Sequence, residues 1–239
     1  FFAEALKLAG SEEQKQALLP KIADGSLIGC IAVSEGPGEI ATGTIATRLK
    51  DGTLSGRKIP VTDGDIATHA IVLAKDGSGA SLVIVALNQS GVTRKPIKTL
   101  EPTRSHAAIS FDGASAELLG EAGNGMPLLD QINDRAAVLI AFEQLGGASR
   151  CLEMATAYAK ERQAFGRAIG GYQAIKHKLA DMYVKNEVAR SNAYYGAWAL
   201  SSNAAELPEA AAAARVAASE AFWFASKENI QTHGGIGFT

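Results

Sequence analysis

The sequence predicts an α+β chain in three parts: a short helical segment, an antiparallel β-sandwich or barrel, and a C-terminal antiparallel helical bundle. Three observations carry this. Between residues 26 and 115, turn sequences such as Asp51-Gly52 and Asp76-Gly77-Ser78-Gly79 separate short apolar runs, the signature of strands joined by hairpins. After Gly125 the apolar residues recur at helical spacing instead. The 25 glycines change company at the same point: the early ones sit in turns, the late ones pair only at Gly146-Gly147, Gly170-Gly171 and Gly234-Gly235. The expected divisions are 1–25 for a helical remnant, 26–127 for the β-domain and 128–239 for the helical domain.

Residues 3–24 read as one or two short helices. Ser11 caps the second and Gln14 completes a capping box. Residues 27–33 are nearly all apolar, as a buried strand requires. Strands are then expected on either side of Asp51-Gly52, at 70–74 and 82–87 around the second hairpin, and at 107–111, closed by Asp112-Gly113. With no helix between them, these strands favour an antiparallel sheet and exclude a Rossmann alternation, so Gly36-x-Gly38 has the wrong setting for a dinucleotide fingerprint. Beyond Arg135, Val138, Phe142, Leu145, Leu152, Ala155 and Ala159 form one helical stripe. A second runs through Ile175, Leu179, Met182, Ala189, Ala193 and Leu200, and a third helix starts near Pro208 and is rich in alanine. Three helices of some 25 residues each, joined by short links, make a bundle.

Composition bounds the function. With 23 Lys plus Arg against 25 Asp plus Glu, the net charge of −2 lacks the basic surplus of a nucleic-acid or polybasic membrane binder. No apolar run approaches the roughly 18 residues that span a bilayer. Phe1-Phe2, followed by Glu4 and Lys7, does not begin like a signal peptide. Cys30 and Cys151 lie far apart in apolar surroundings, which favours buried free thiols and a cytoplasmic location over a disulfide. His69, His106, His177 and His233 are scattered, so no metal site is expected.

Two segments carry chemistry. Residues 158–167, Tyr-Ala-Lys-Glu-Arg-Gln-Ala-Phe-Gly-Arg, read plainly as a helix end and a turn at Gly166, but that leaves Phe165 and its flanking Arg162 and Arg167 without a purpose. Arginine suits phosphate through its planar fork. Residues 231–239, Gln-Thr-His-Gly-Gly-Ile-Gly-Phe-Thr, read either as a helix C-cap or as a glycine turn that lets backbone approach a ligand. A serine hydrolase is excluded: His233-Gly234-Gly235 resembles an oxyanion loop, but no G-x-S-x-G occurs.

Together the two segments resemble the acyl-CoA dehydrogenase family, with its Y-x-x-x-R-x-x-F-G element, a Gln on the next helix, and Q-x-x-G-G-x-G-[FY] after a third helix. The resemblance covers essentially the whole chain. Val33-Ser34-Glu35 is similar to the family's V-[ST]-E, Lys58-Ile59-Pro60-Val61-Thr62-Asp63-Gly64 to its K-x-W-[IV]-T-N-G with Pro60 in place of the Trp, and Leu119-Gly120-Glu121 with Gly123 and Gly125 to its glycine link. The resemblance implies an FAD enzyme, its flavin held between the β-domain of one subunit and the helices of a neighbour. Ser34 and Thr62 would hydrogen-bond the isoalloxazine. Arg162, Phe165, Gln173, Gln231, Gly234 and Gly235 would hold the diphosphate and adenosine half. The implied reaction removes a proton from Cα of an acyl-CoA and passes hydride from Cβ to flavin N5, with electrons leaving to an electron-transfer flavoprotein.

The family's usual base is a Glu beyond the Gly-Gly turn. A minority places it one residue before the Arg that opens the first C-terminal helix, which is here Asp134, followed by Arg135. Asn133-Asp134 also reads as a helix N-cap. By resemblance Arg135 would touch the CoA arm; its plain alternative is a surface ion pair. The family's E-P-G-A-G-S-D loop is here Glu35-Gly36-Pro37-Gly38-Glu39-Ile40, without the Ser-Asp end, and little precedes the β-domain. Either the chain is a partial copy or a partner completes it, and apolar helix faces would be left open. A homo- or hetero-oligomer is expected. Two other readings stand beside the enzyme: a half-site subunit of a heteromeric acyl-CoA dehydrogenase acting on bulky substrates, and a flavin oxidase on the same fold with a non-CoA substrate.

Overall fold

In the computed structural model, which describes residues 1–239, the chain falls into two units, Phe1–Ile132 and Asn133–Thr239. The first opens with helices α1 (Phe2–Ala9) and α2 (Glu12–Ala23). The capping box forms as expected: Ser11 Oγ accepts from Gln14 N at 3.2 Å, and the Gln14 side chain accepts from Ser11 N at 3.1 Å.

Eight strands follow: β1 (Gly29–Ala32), β2 (Arg48–Lys50), β3 (Thr53–Thr62), β4 (His69–Asp76), β5 (Gly79–Ala86), β6 (Val92–Ile97), β7 (His106–Ser115) and β8 (Glu117–Leu119). They form one sheet in the order β6-β7-β3-β2-β4-β5-β8, with β1 also paired to β4. Both expected hairpins are present, turning at Asp51-Gly52 and at Gly77-Ser78. The run 70–74 looks continuously apolar because β4 is buried on both faces. Ala70, Val72 and Ala74 meet Val83, Val85, Leu54, Val61 and Ile109 on one side. Ile71 and Leu73 meet Leu82, Ile84 and Leu119 on the other, beneath α1 and the first turns of the next helix.

Two expectations for the sheet are corrected. The sheet is not wholly antiparallel: β1 runs parallel to β4 and β2 touches β4 in parallel. A long excursion over residues 33–47 separates β1 from β2, so a direct hairpin return is not imposed. Asp112-Gly113 does not end its strand either. β7 continues to Ser115, and Gly113 is the extra residue of a bulge, since Ser55 pairs with Asp112 and Leu54 with Ala114.

Helix α3 (Gly125–Glu161) begins in the first unit and continues into the second, where α4 (Gln173–Ser202), α5 (Leu207–His233) and α6 (Gly235–Phe238) follow. The three long helices have 37, 30 and 27 residues. Asn133-Asp134 is therefore no N-cap: the helix has already run eight residues before it, with Pro127 in the first turn, where a missing N–H costs nothing. Gly125 is required at the start, because a Cβ there would stand 2.7 Å from Ser81 Cα and 2.8 Å from Ala80 O. Within the second unit, Ala210, Ala211, Ala214, Ala218, Ala221 and Ala225 of α5 are wholly buried. The last four of these join a core that includes Met182, Ala189 and Ala193 of α4 and Ala141, Leu145 and Ala148 of α3. Small side chains let these helix axes approach closely. Tyr183, Val184, Val188, Trp198, Val216 and Trp223 remain exposed, the open apolar faces the sequence predicts. No helix is long and apolar enough to cross a membrane.

Candidate functional site

In the helical unit, the ends of α3 and α5 meet. The Tyr158 ring stacks on His233, with centroids 4.3 Å apart and planes 26° off parallel. His233 Nδ1 lies 2.9 Å from the Asn229 carbonyl, which only accepts, so Nδ1 carries the proton. Arg162 N donates to Tyr158 O, and Arg162 O accepts from Ile169 N, both at 2.9 Å. These bonds root a small hairpin of β9 (Gln163–Ala164) and β10 (Arg167–Ala168). Its tip is Phe165-Gly166, both at positive φ (49° and 81°), with Phe165 96% exposed. A bulky residue in that conformation is strained, and an aromatic ring in water is costly. The hairpin thus presents an exposed ring. Arg167 stacks over Tyr172 at 4.0 Å, and the Tyr172 hydroxyl donates to Ala164 O at 2.9 Å.

Arg162, Tyr158, Thr232, His233, Gly234 and Gly235 line one cavity of about 550 Å³. Gly234 ends α5 at φ 61°, ψ −138°, a backbone conformation for which glycine is suited. Of the residues assigned to the diphosphate half, the structure brings together Arg162, Gly234 and Gly235. Gln231 on the last turn of α5, Gln173 at the start of α4, and Phe165 do not line that cavity.

In the β unit, Ser34 follows β1. Its Oγ donates to Gly36 O at 3.1 Å and accepts from Gly36 N at 3.4 Å. Its carbonyl accepts from Ile59 N of β3 at 2.8 Å, three residues before Thr62. Ser34 lines a cavity of about 210 Å³ formed by its own loop. Thr62 lines a different one of about 590 Å³, with Cys30, Asp63, Arg104 and His106. Pro60, which cannot donate to a ladder, sits where β3 slips register between Lys58 and Val61.

Beneath Ser34, the wholly buried Lys58 donates to Glu35 Oε1 at 2.8 Å and to Val33 O at 3.0 Å. Partial burial works against ionising Glu35. Lys58, Thr47 and the Ala46 and Thr47 N–H groups outweigh it and pull the carboxyl down to about 2. Burial lowers Lys58, against the pull of Glu35. Burial, helped by the Asp63 charge, pushes the Cys30 thiol up to about 12, so it is no nucleophile. Both cysteines are free; Cys151 is half-buried rather than buried.

Asp134 lies half-buried along α3, and Arg135 donates to Asn203 Oδ1 at 3.1 Å, at the left-handed cap of α4. No cluster of three His, Cys, Asp or Glu could hold a metal. The donor chemistry of the helical unit fits the diphosphate half of a flavin dinucleotide. The helical unit supplies a guanidinium, an imidazole and a glycine turn in one cavity, suited to a diphosphate. In the β unit, Ser34 and Thr62 both lie at β3 but line different cavities, so the structure does not bring their hydroxyls together. Sequence reasoning quoted Tyr158 and Lys58 within motifs but missed the Tyr158–His233 stack and the Lys58–Glu35 pair. The only signals were a histidine before the double glycine and a lysine in an otherwise apolar-facing strand position.

Residues 123–239 match the family model described as acyl-CoA dehydrogenase, C-terminal domain. The chain is 36% identical over 229 residues to acyl-CoA dehydrogenase IpdE2 of Mycolicibacterium smegmatis, covering 95% of this chain and 66% of that one. It is 35% identical to the human mitochondrial short-chain specific acyl-CoA dehydrogenase, covering 96% and 59%. The butyryl-CoA dehydrogenase structure from Megasphaera elsdenii superposes with a TM-score of 0.91 at 28% identity, covering 99% of this chain and 66% of that one. The chain belongs to the acyl-CoA dehydrogenase family, and it spans about 59–66% of the length of these three relatives.

Proposed function

We propose that the protein is an FAD-dependent acyl-CoA dehydrogenase that forms a Cα–Cβ double bond in an acyl-CoA thioester. The observation that carries this is the convergence of Arg162 with Gly234 and Gly235, more than seventy residues apart in sequence, on one cavity. When bound, FAD supplies an acceptor for the hydride that leaves Cβ. The chain's own residues do the rest. Arg162 and the Gly234-Gly235 turn would hold the diphosphate, with His233 held against Tyr158 beside them. Phe165, Gln173 and Gln231 would contact the adenosine half, each from an exposed position. Ser34 and Thr62 would orient the isoalloxazine edge. Asp134 is the proposed base for the Cα proton, with a side chain one C–C bond (~1.5 Å) shorter than a glutamate, and Arg135 would meet the CoA arm. The exposed apolar faces of α4 and α5 support an oligomer, and the free cysteines support a cytoplasmic protein. An electron-transfer flavoprotein is the proposed acceptor. The proposed division is a helical remnant at 1–25, a β-domain at 26–127 and a helical domain at 128–239.

The test is to purify the protein with FAD and add saturated acyl-CoA without oxygen. Loss of the visible flavin bands supports the dehydrogenase. A folded but colourless protein supports the half-site subunit, a reading favoured by the missing Ser-Asp end of the 35–40 loop. Peroxide formed in air from a non-CoA substrate supports the oxidase.

A further inference from the structure

We propose that Lys58 is a positioning residue that sets Ser34 for its flavin contact. This rests on the reading of Ser34 as an isoalloxazine ligand. Lys58 is the largest wholly buried side chain of the protein, an expensive place for an ammonium unless it is paired. Its two bonds fall on Val33 and Glu35, the residues on either side of Ser34. The next residue on β3, Ile59, binds the Ser34 carbonyl itself. The Glu35 carboxylate carries the hold further: Oε1 accepts from Thr47 N at 2.9 Å and Oε2 from Ala46 N at 2.7 Å. One ammonium therefore gathers β3, the Ser34 segment and the start of β2. Between these points, bonds of the 36–45 loop are local, such as Thr44 Oγ1 to Glu39 O and Ala41 O. The Ser34 hydroxyl binds only the Gly36 backbone, so its direction follows from where residues 33–36 lie. An apolar side chain could fill the space of Lys58, but it could not hold the two neighbours of Ser34. Lys58 acts through that backbone and touches no ligand.

The test compares four variants of the intact protein: Ser34→Ala, Lys58→Met with Glu35→Gln, Glu35→Gln alone, and Leu54→Ala as a control in the same strand. The double variant removes both charges, which spares it an unpaired buried ion. Apoprotein is titrated with FAD by flavin fluorescence, and hydrogen exchange of residues 33–47 is followed without FAD. The expected result is an FAD affinity about tenfold weaker in Ser34→Ala and in the double variant, the worth of about one hydrogen bond. Exchange over 33–47 rises in the double variant while its melting temperature stays near wild type. Leu54→Ala melts lower and binds FAD normally. If the double variant does not fold, Glu35→Gln carries the test, with a loss of about threefold and faster exchange over 33–47. Loss of affinity in Ser34→Ala but wild-type affinity and exchange in the charge variants overturns the role of Lys58 alone. A wild type that takes up no FAD, or Ser34→Ala binding like wild type, overturns the reading of Ser34 and the proposal with it.

Discussion

Lowering the pH should release the Glu35 clamp before the rest of the β unit loses its packing. The Glu35 carboxyl titrates at about 2 in the folded protein, against 4.5 for an unperturbed glutamate. A carboxyl depressed on folding contributes stability that is complete above its unfolded pKa and is lost as pH falls through the folded one. The shift corresponds to about 3 kcal/mol at pH 7, with about half remaining at pH 3 and little below pH 2. Glu35→Gln mimics the protonated carboxyl. It should therefore cost about 3 kcal/mol at pH 7, and the difference from wild type should shrink steadily toward zero between pH 4.5 and 2. Every Trp and Tyr lies at or beyond residue 158, so intrinsic fluorescence reports only the helical unit. The assay is amide exchange of β4 and β5 peptides across urea, at several pH values. A gap between variant and wild type that stays constant from pH 7 to 2.5 would refute the reasoning.

Two further predictions concern single residues. Arg162→Gln should weaken FAD binding about 10- to 100-fold, as expected for a charge-assisted contact to phosphate. The loss should narrow in high salt, and flavin-fluorescence titration at two ionic strengths checks it. Cys30 should resist iodoacetamide at pH 8 while the protein is folded, because burial holds the thiol near 12; Cys151, raised less and half-buried, should react first by peptide mass mapping.

Much of the frame was legible because it is encoded locally. Ser11 and Gln14 sit at capping-box spacing, Asp51-Gly52 and Gly77-Ser78 mark hairpins, and Pro208 marks the start of α5. What stayed hidden is non-local. The apolar run at 27–33 looks the same whether its partner runs parallel or antiparallel, so the β1–β4 pairing had no local signature. Asp112-Gly113 has the composition of a turn, yet β3 and β6 flank it and hold it in the sheet as a bulge. The start of α3 was misplaced because Gly125 and Pro127 look like loop residues; only the approach of the Ser81 backbone explains the glycine. At the site, the motifs named Arg162 and the double glycine, but the Tyr158–His233 stack joins residues 75 positions apart. Lys58 was equally opaque, since a lysine in a strand reads as exposed until Val33 and Glu35 are seen around it.

The most direct measurement of the central claim is the absorption spectrum of the FAD-reconstituted protein, recorded without oxygen before and after addition of saturated acyl-CoA thioesters. The account predicts visible flavin bands that survive gel filtration and are bleached by at least one acyl-CoA, with the matching 2-enoyl-CoA recovered as product. A folded protein that retains no flavin, or whose flavin bands no acyl-CoA bleaches, would contradict it.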